Sequence, residues 1–424
     1  MTEFRFIHTA DIHLDSPLRG LAGQEGKAAD RIRTAARAAF DALVGQAIDD
    51  EVSFFVIAGD LYDGDWRDYQ TGLFFVGQMG RLAKAGIPAF VLHGNHDAES
   101  KITRRLTLPD NVRVFGARKP QTFRLDDLDV ALHGQSFAQR DVTENLSLAY
   151  PEPIPGLFNI GVLHTALGGM GGHANYAPCS LADLLGKGYD YWALGHVHQH
   201  AVLNERPHVV FPGNLQGRHI REPGPKGACL VSVAGGEVVD LAHVPVDAVR
   251  WAHLTVSATN CNRLQDIADR LRDAVESAVA SEADGRMLAC RLEIHGRSEL
   301  HGQILASTEH LLAEARAAAL SLGEETAWVE KIRVSTEPPE DATRLAARED
   351  ALGELLSSLS LAAREEDFLE TLLGEIGEFA RRLPAEIRAE TEDAILKAAV
   401  TGDSEVLIRT VGLELMSRLT GKAS

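Results

Sequence analysis

Along the first half of the chain one pattern recurs: a short apolar run, a turn, then polar residues. Residues 4–8, 52–58, 87–92, 158–163 and 191–194 are apolar runs of strand length. Runs that do not alternate with polar residues predict strands buried on both faces, as in a parallel sheet. Shorter runs at 112–115 and 130–132 predict two more strands, and 208–211 and 227–246 read as closing strands, the last a hairpin turning at Ala234-Gly235-Gly236. Between them, 27–50 and 69–85 have the composition of helices. Strands that alternate with helices predict an α/β fold in which the carboxyl ends of the strands lie along one edge.

From about residue 251 the pattern changes to strand, helix, strand, helix, strand at 251–257, 263–280, 287–295, 304–322 and 327–336. The breaker Glu337-Pro338-Pro339 closes that segment. The remainder reads as helices near 341–361, 363–382, 384–400 and 403–419, with Pro384 where a first-turn proline is tolerated. Three domains are therefore expected: 1–247, a small α/β domain over 248–338, and an all-helical region over 339–424.

The polar residues just past each apolar run carry the chemistry. Asp11 and His13 stand after the first run, Asp60 after the second, Asn95, His96 and Asp97 after the third, His164 after the next, and His196 and His198 after the last. Nearly the whole first domain separates the first from the last, yet strand ends on one sheet edge bring them to one place. Carboxylates, an amide oxygen and imidazoles form a donor set suited to Mn, Fe or Zn, and there are enough of them for two ions. Two ions held by a shared carboxylate suit in-line attack on phosphorus, so the expected reaction is phosphoester hydrolysis.

Composition narrows the class. The 424 residues are 45% hydrophobic, enough for a large core, and the four cysteines (Cys179, Cys229, Cys261, Cys290) form no CxxC pair, so neither a disulfide framework nor a thiolate zinc site is expected. The chain contains nothing near the roughly 18 consecutive apolar residues of a membrane span and runs straight into a strand without a signal-like leader. A cytoplasmic protein, working at the nucleoid and with no membrane partner, is the expectation. A net charge of -19 argues against a protein that coats nucleic acid, but much of the acidic excess lies in the helical tail.

The motifs DxH, GDxxD, GNHD, an isolated His and GHxH, in this order, resemble those of the calcineurin-like metallophosphoesterase superfamily. Within it, the phrases GDLYDGDWRDYQTGLFF, GYDYWALGHVHQ and FPGNLQGRHIRE are similar to the bacterial SbcD-like nucleases, in particular the YhaO group. The resemblance implies a β-sandwich flanked by helices, a capping domain and a helical C-terminal region. It also implies two divalent ions, expected to be Mn2+: Asp11, His13, Asp60 and His198 would hold the first, and Asp60, Asn95, His164 and His196 the second. His96 would be the catalytic histidine that is not a ligand, and Asp97 would orient it through its ring nitrogen. Archaeal and eukaryotic nucleases of this kind carry a second catalytic histidine three residues after the bridging Asp; here that position is Asp63. By the same resemblance the substrate is DNA, the activity that of a repair exonuclease, and the helical tail, with apolar positions such as Leu352, Leu355, Leu356 and Leu359, would dock on an SbcC-like coiled-coil ATPase.

Arg218, His219 and Arg221 are further candidates for substrate phosphate, since an arginine fork matches phosphate geometry. Lys101, Arg104 and Arg105 are a candidate basic patch, while His8, His93 and His133 read as packed or loop histidines. The glycines at 168–169 and 171–172 read as a loop after His164; without a GxxxxGK[ST] motif they are no phosphate cradle, and no ATP hydrolysis is expected of this chain. A metallophosphoesterase for small phosphodiesters and a non-catalytic metal-binding scaffold stand as alternatives, and the sequence leaves a homodimer open.

Overall fold

The computed structural model describes residues 3–16, 26–63, 69–98, 107–168 and 176–338, and in the C-terminal region 354, 358, 361, 366–382, 394–403 and 406–407. The first part runs β1 (Phe4–Thr9), α1 (Lys27–Asp49), β2 (Phe54–Ala58), α2 (Tyr69–Lys84), β3 (Ala89–Leu92), α3 (Asn95–Ala98), β4 (Val112–Val114), β5 (Gln121–Leu125), β6 (Val130–Gly134), β7 (Phe158–His164), α4 (Leu181–Gly186), β8 (Tyr191–Gly195), β9 (Ala201–Glu205), β10 (His208–Phe211), β11 (Gly227–Ala234) and β12 (Glu237–Pro245). Two six-stranded sheets result, in the orders β12-β11-β1-β2-β3-β4 and β5-β6-β7-β8-β10-β9. In each, four consecutive strands are parallel, β1 to β4 and β6-β7-β8-β10. Antiparallel strands lie at the margins.

The apolar runs lack alternation because both of their faces are covered. On β2 all five residues are buried: Phe54, Val56 and Ala58 face the second sheet, and Phe55 and Ile57 face the helices. Between the sheets, Phe6 and Phe54 stack with centroids 4.8 Å apart, and Tyr191 meets Phe6 edge-on at 5.3 Å. On the outer face of the first sheet, Phe40 and Leu43 of α1 and Phe75 and Met79 of α2 cover Ile7, Phe55, Ile57 and Val91. Phe40, Leu43, Val44 and Ala47 recur at helical spacing, which is why α1 presents one apolar stripe. On the other side, Leu184 of α4 packs with Leu163, Trp192 and Leu194. The expected fold class, an α/β sandwich flanked by helices, is thus the observed one. The two strands that apolar runs do not predict, β5 and β9, lie at sheet edges with mostly exposed or half-buried side chains. All four cysteines are buried thiols.

The rest of the chain contains β13 (Val249–Ser257), α5 (Leu264–Glu282), β14 (Met287–Arg297), α6 (His301–Ala306), α7 (Thr308–Leu322), β15 (Ala327–Glu337), α8 (Glu366–Arg382) and α9 (Ala394–Thr401). The strands form a sheet in the order β13-β14-β15. The chain divides into two compact units, and the division crosses these strands: residues 1–252, 278–290 and 322–328 make one unit, and 253–277, 291–321 and 329–424 the other. Val249, Trp251, Met287 and Ala289 explain the first unit's share, since they are buried with Ile32 and Ala35 of α1. In the second unit, α8 and α9 join through Ala380, Ala398 and Ala399. Leu352, Leu355, Leu356 and Leu359 lie outside the described residues.

His8 shows how tightly the sandwich is closed. It sits on β1 with 0% exposure, its Nδ1 3.0 Å from the Tyr191 hydroxyl and its Nε2 3.0 Å from the Leu194 carbonyl. A neutral ring satisfies both partners, accepting from Tyr191 and donating to Leu194. Burial, with His200 nearby, lowers its pKa to about 3 against the pull of the Leu194 carbonyl. Between the unfolded value of 6.5 and that lowered value the unfolded chain binds a proton that the fold refuses, so stability falls as pH falls. From pH 7 to pH 5 this one group should remove about 2 kcal/mol. In urea titrations at both pH values, His8→Gln is expected to lose less stability than wild type by about that amount; equal losses would contradict the assignment.

Candidate metal centre

The ligand candidates arrive from both sheets. Asp11 and His13 follow β1, Asp60 follows β2, and Asn95 opens α3 just past β3; His164 ends β7, and His196 and His198 follow β8. All seven except His198 are almost fully buried, and His198 is partly so. Two groups of potential ligand atoms emerge, each within 4.8 Å of one another: Asp11, His13 and His198 in one, Asp60, His164 and His196 in the other. His13, Asp60 and His96 form a third such group between them. Asn95 joins the second, its Oδ1 3.0 Å from His164 Nε2. Asp60 reaches both sides, with Oδ2 3.4 Å from His164 Nε2 and 4.0 Å from His13 Nε2.

Glycines make this convergence sterically feasible. Gly59, immediately before Asp60, has φ +102°, and a Cβ there would lie 2.2 Å from His164 Nδ1. A Cβ on Gly94, before Asn95, would lie 2.3 Å from the Asp60 carboxylate. The glycine of each GD and GN pair therefore clears room for the neighbouring ligand. Four of the ligands themselves, Asp11, His13, Asp60 and His196, hold positive φ, a conformation non-glycine residues adopt at a cost. Strain gathered on four convergent polar residues marks a site held for function.

The donors fit cations. His13 Nε2 and His198 Nε2 face each other at 3.2 Å, and Asp11 Oδ1 and His13 Nδ1 are buried without a hydrogen-bond partner among the described residues. Burial pushes the Asp11 carboxyl up to about 7 against the pull of His164. Burial would raise Asp60 as well, but His164, His13 and His96 around it hold it well below the usual carboxylate range. Burial resists charging His164, and the Asp60 carboxylate overcomes this, raising it to about 9. Protons therefore balance the charge here that two divalent ions would otherwise balance, and the nitrogen and oxygen donors that share them are the ones that would hold the ions.

Asp97 needs a correction. It is buried, but its carboxylate accepts the backbone N–H groups of Tyr62 at 2.9 Å, Leu61 at 3.2 Å and Gly94 at 2.9 Å. It braces the loops after β2 and β3 and does not orient His96. The ring nitrogen of His96 faces Asp63 instead, Nδ1 to Oδ1 at 2.7 Å, while Ser16 donates to the other Asp63 oxygen at 2.5 Å. Burial works against charging His96, but Asp63 and Asp60 raise its pKa above the ordinary value. The backbone N–H of His96 also donates to Asp60 Oδ1 at 3.0 Å, tying the acid candidate to the shared ligand.

The substrate candidates are brought to the same place. A cleft of about 610 Å3 is lined by Asp60, His96, His196 and His198 together with Arg218, His219, Arg221 and Lys226. Arg218 reaches within 3.9 Å of Asp63. Glu222, not singled out in the sequence, lines the cleft too and lies 2.7 Å from His198 Nδ1. His8 and His133 are packing histidines, the latter between Thr122 and Asn159. Lys101, Arg104, Arg105, Gly169, Gly171 and Gly172 lie outside the described residues.

Comparison with known proteins agrees with this geometry. Residues 4–200 match the calcineurin-like phosphoesterase family, and residues 251–337 match the middle domain of metallophosphoesterase YhaO. The chain is 35% identical to the uncharacterised metallophosphoesterase YhaO of Bacillus subtilis over 280 residues, 64% of this chain and 68% of that one. It is 24% identical over 293 residues to the DNA double-strand break repair protein Mre11 of Sulfurisphaera tokodaii, 65% of this chain and 71% of that one. It is 25% identical over 213 residues to the Mre11 protein of Methanopyrus kandleri, 46% of this chain and 44% of that one. Among the described residues no helix is long and apolar enough to cross a membrane. The chain belongs to the calcineurin-like metallophosphoesterase family, hydrolases of phosphoester bonds that use two divalent metal ions, and it carries the YhaO middle domain.

Proposed function

We propose that this metallophosphoesterase is a DNA phosphodiesterase, an exonuclease that uses Mn2+ and works with an SbcC-like coiled-coil ATPase. The observation that carries the reading is the cleft that Arg218, Arg221 and Lys226 line together with metal ligands and His96. A small phosphate ester needs little more than the ions themselves, whereas a polymer brings further phosphates that basic side chains beside the reacting one can hold. The likeness to two double-strand break repair proteins supports a DNA substrate. Carboxylate, amide and imidazole donors without a thiolate support Mn2+. Exposed Leu361 and Phe379, in the region of α8, support a partner for the helical tail.

When bound, the ions neutralise phosphoryl charge and activate water. The protein's own contribution is positional. Asp63 engages Nδ1 of His96, which leaves Nε2 as the nitrogen that hands a proton to the departing oxygen. Arg218 presents a guanidinium fork to a phosphate, and Asp60, accepting from the His96 amide, fixes the distance between the ligand cluster and the acid.

Linear duplex DNA, single-stranded DNA and bis-p-nitrophenyl phosphate, each with Mn2+ and with EDTA, provide the direct test. DNA cleavage that EDTA abolishes is expected; turnover of the small diester without any DNA cleavage would favour the small-substrate alternative. Asp60→Asn should lose both activity and bound metal. His96→Asn should lower kcat by about 10²- to 10⁴-fold with metal content unchanged, and Asp63→Asn by less, since it removes only the orienting partner. Unchanged DNA cleavage in His96→Asn would place the chemistry elsewhere, and metal binding without turnover of any of the three substrates by wild type would favour a scaffold.

A further inference from the structure

We propose that Glu222 is a positioning residue of the metal centre, which fixes the tautomer of His198 so that its Nε2 lone pair faces the ion. The inference concerns the ion site alone and does not depend on the substrate being DNA. Glu222 is 8% exposed, and its carboxylate is taken up completely. Oε1 lies 2.7 Å from His198 Nδ1, with Arg218 Nη2 at 3.4 Å and His219 Nε2 at 3.8 Å. Oε2 accepts from Asn214 Nδ2 at 2.9 Å and from the Arg218 backbone N–H at 2.8 Å.

The neighbours decide the hydrogen positions. Asn214 NH2, the Arg218 amide and the Arg218 guanidinium can only donate, so the carboxylate acts as an acceptor. His198 Nδ1, its nearest contact at 2.7 Å, must then carry a hydrogen; the Arg218 Nη2 group, 3.3 Å from the same nitrogen, also reaches Glu222 Oε1 and donates there, and Nε2 is left bare. That nitrogen is the one that faces His13 Nε2 at 3.2 Å and Asp11 Oδ1 at 3.8 Å, inside the first ligand group. Had the hydrogen been on Nε2, His198 could not bind a cation there.

The carboxylate is itself held in place. Asn214 is fully buried and also donates to the Gln216 carbonyl at 2.9 Å, while Gln216 accepts from the backbone of Ala248 and Val249 at 2.8 and 3.1 Å. Trp251 Nε1 donates to the Gly217 carbonyl at 2.9 Å. The stretch from Asn214 to Glu222 is thus a strap pinned at several points, and Glu222 is the point at which it meets a ligand.

Two measurements test this without any substrate. The first is Mn2+ affinity and stoichiometry of the full chain by calorimetry and metal analysis. Glu222→Gln must set an amide NH2 either against two donors or against His198 Nδ1, and should weaken one of the two ions by about 10- to 100-fold. Asn214→Ala removes a brace but keeps the contact with His198, and should stay within about threefold of wild type, far below the loss of an outer-shell partner. Wild-type affinity in Glu222→Gln, or an equal loss in Asn214→Ala, would overturn the proposal, the latter by showing that Glu222 only braces the strap. The second needs no Glu222 variant to fold: nitrogen-15 histidine spectra of the metal-free wild type, with the His198 signals assigned by their disappearance in His198→Asn. Hydrogen on Nδ1 is expected, and hydrogen on Nε2 would overturn the proposal.

Discussion

Two buried histidines bolt one sheet of the sandwich to the other at its functional end, and the metal centre depends on both bolts. His164, from β7 in the second sheet, sets Nδ1 2.9 Å from the carbonyl of Ala58 in the first, and His8 makes the reverse crossing from β1 to Leu194 on β8. Each crossing satisfies a carbonyl at a strand end that would otherwise be buried with one partner fewer. The His164 crossing also decides which nitrogen is left over. With Nδ1 committed to Ala58, only Nε2 can face Asn95 and Asp60, so the packing of two sheets is also the assembly of a ligand set.

Such an assembly costs stability. Two carboxylates, an amide and four imidazoles are withdrawn from water, and four of their residues sit at positive φ. Neighbouring histidines and a strap that supplies Arg218 offset part of this. The remainder shows as strained backbone and orphaned polar atoms such as Asp11 Oδ1, the features a bound cation would relieve. Ion binding and folding of this end of the sandwich are therefore linked, since any species that binds only the assembled ligands stabilises the fold by mass action.

The centre was legible in the sequence to the extent that backbone geometry dictates residue type. Unbroken apolar runs followed by Gly-Asp, Gly-Asn-His or Gly-His name both the strand and the group that stands at its end, because the glycine is required by the approach of His164 or Asp60. Partners across the fold were less legible. Asp97 adjoins His96 in sequence, but α3 begins between them and the preceding loop, so its carboxylate turns back to the amides of Gly94, Leu61 and Tyr62. Asp63 lies far from His96 along the chain and beside it in space. Glu222 was hidden for another reason: within RHIRE it has the look of a solvated charge, and only the tertiary path of the strap buries it. The edge strands β5 and β9 were missed because half-exposed strands have no continuous apolar signature.

A phosphoesterase must meet two opposed electrostatic demands, since cations need acidic and neutral donors while a phosphate needs positive charge. Here the two are separated by origin in the chain. The strand ends supply Asp11, Asp60 and the imidazoles, and the later segment 218–226 supplies Arg218, Arg221 and Lys226. A net charge of -19 is a poor guide to such a surface, because charges farther than a Debye length of about 8–10 Å are largely screened from the cleft. The local arrangement is the one that acts on a phosphate there. Glu222 and Asp63, each near a different terminal nitrogen of Arg218, keep its guanidinium beside the ligands, so the acids that steer the imidazoles also hold the cation the substrate meets.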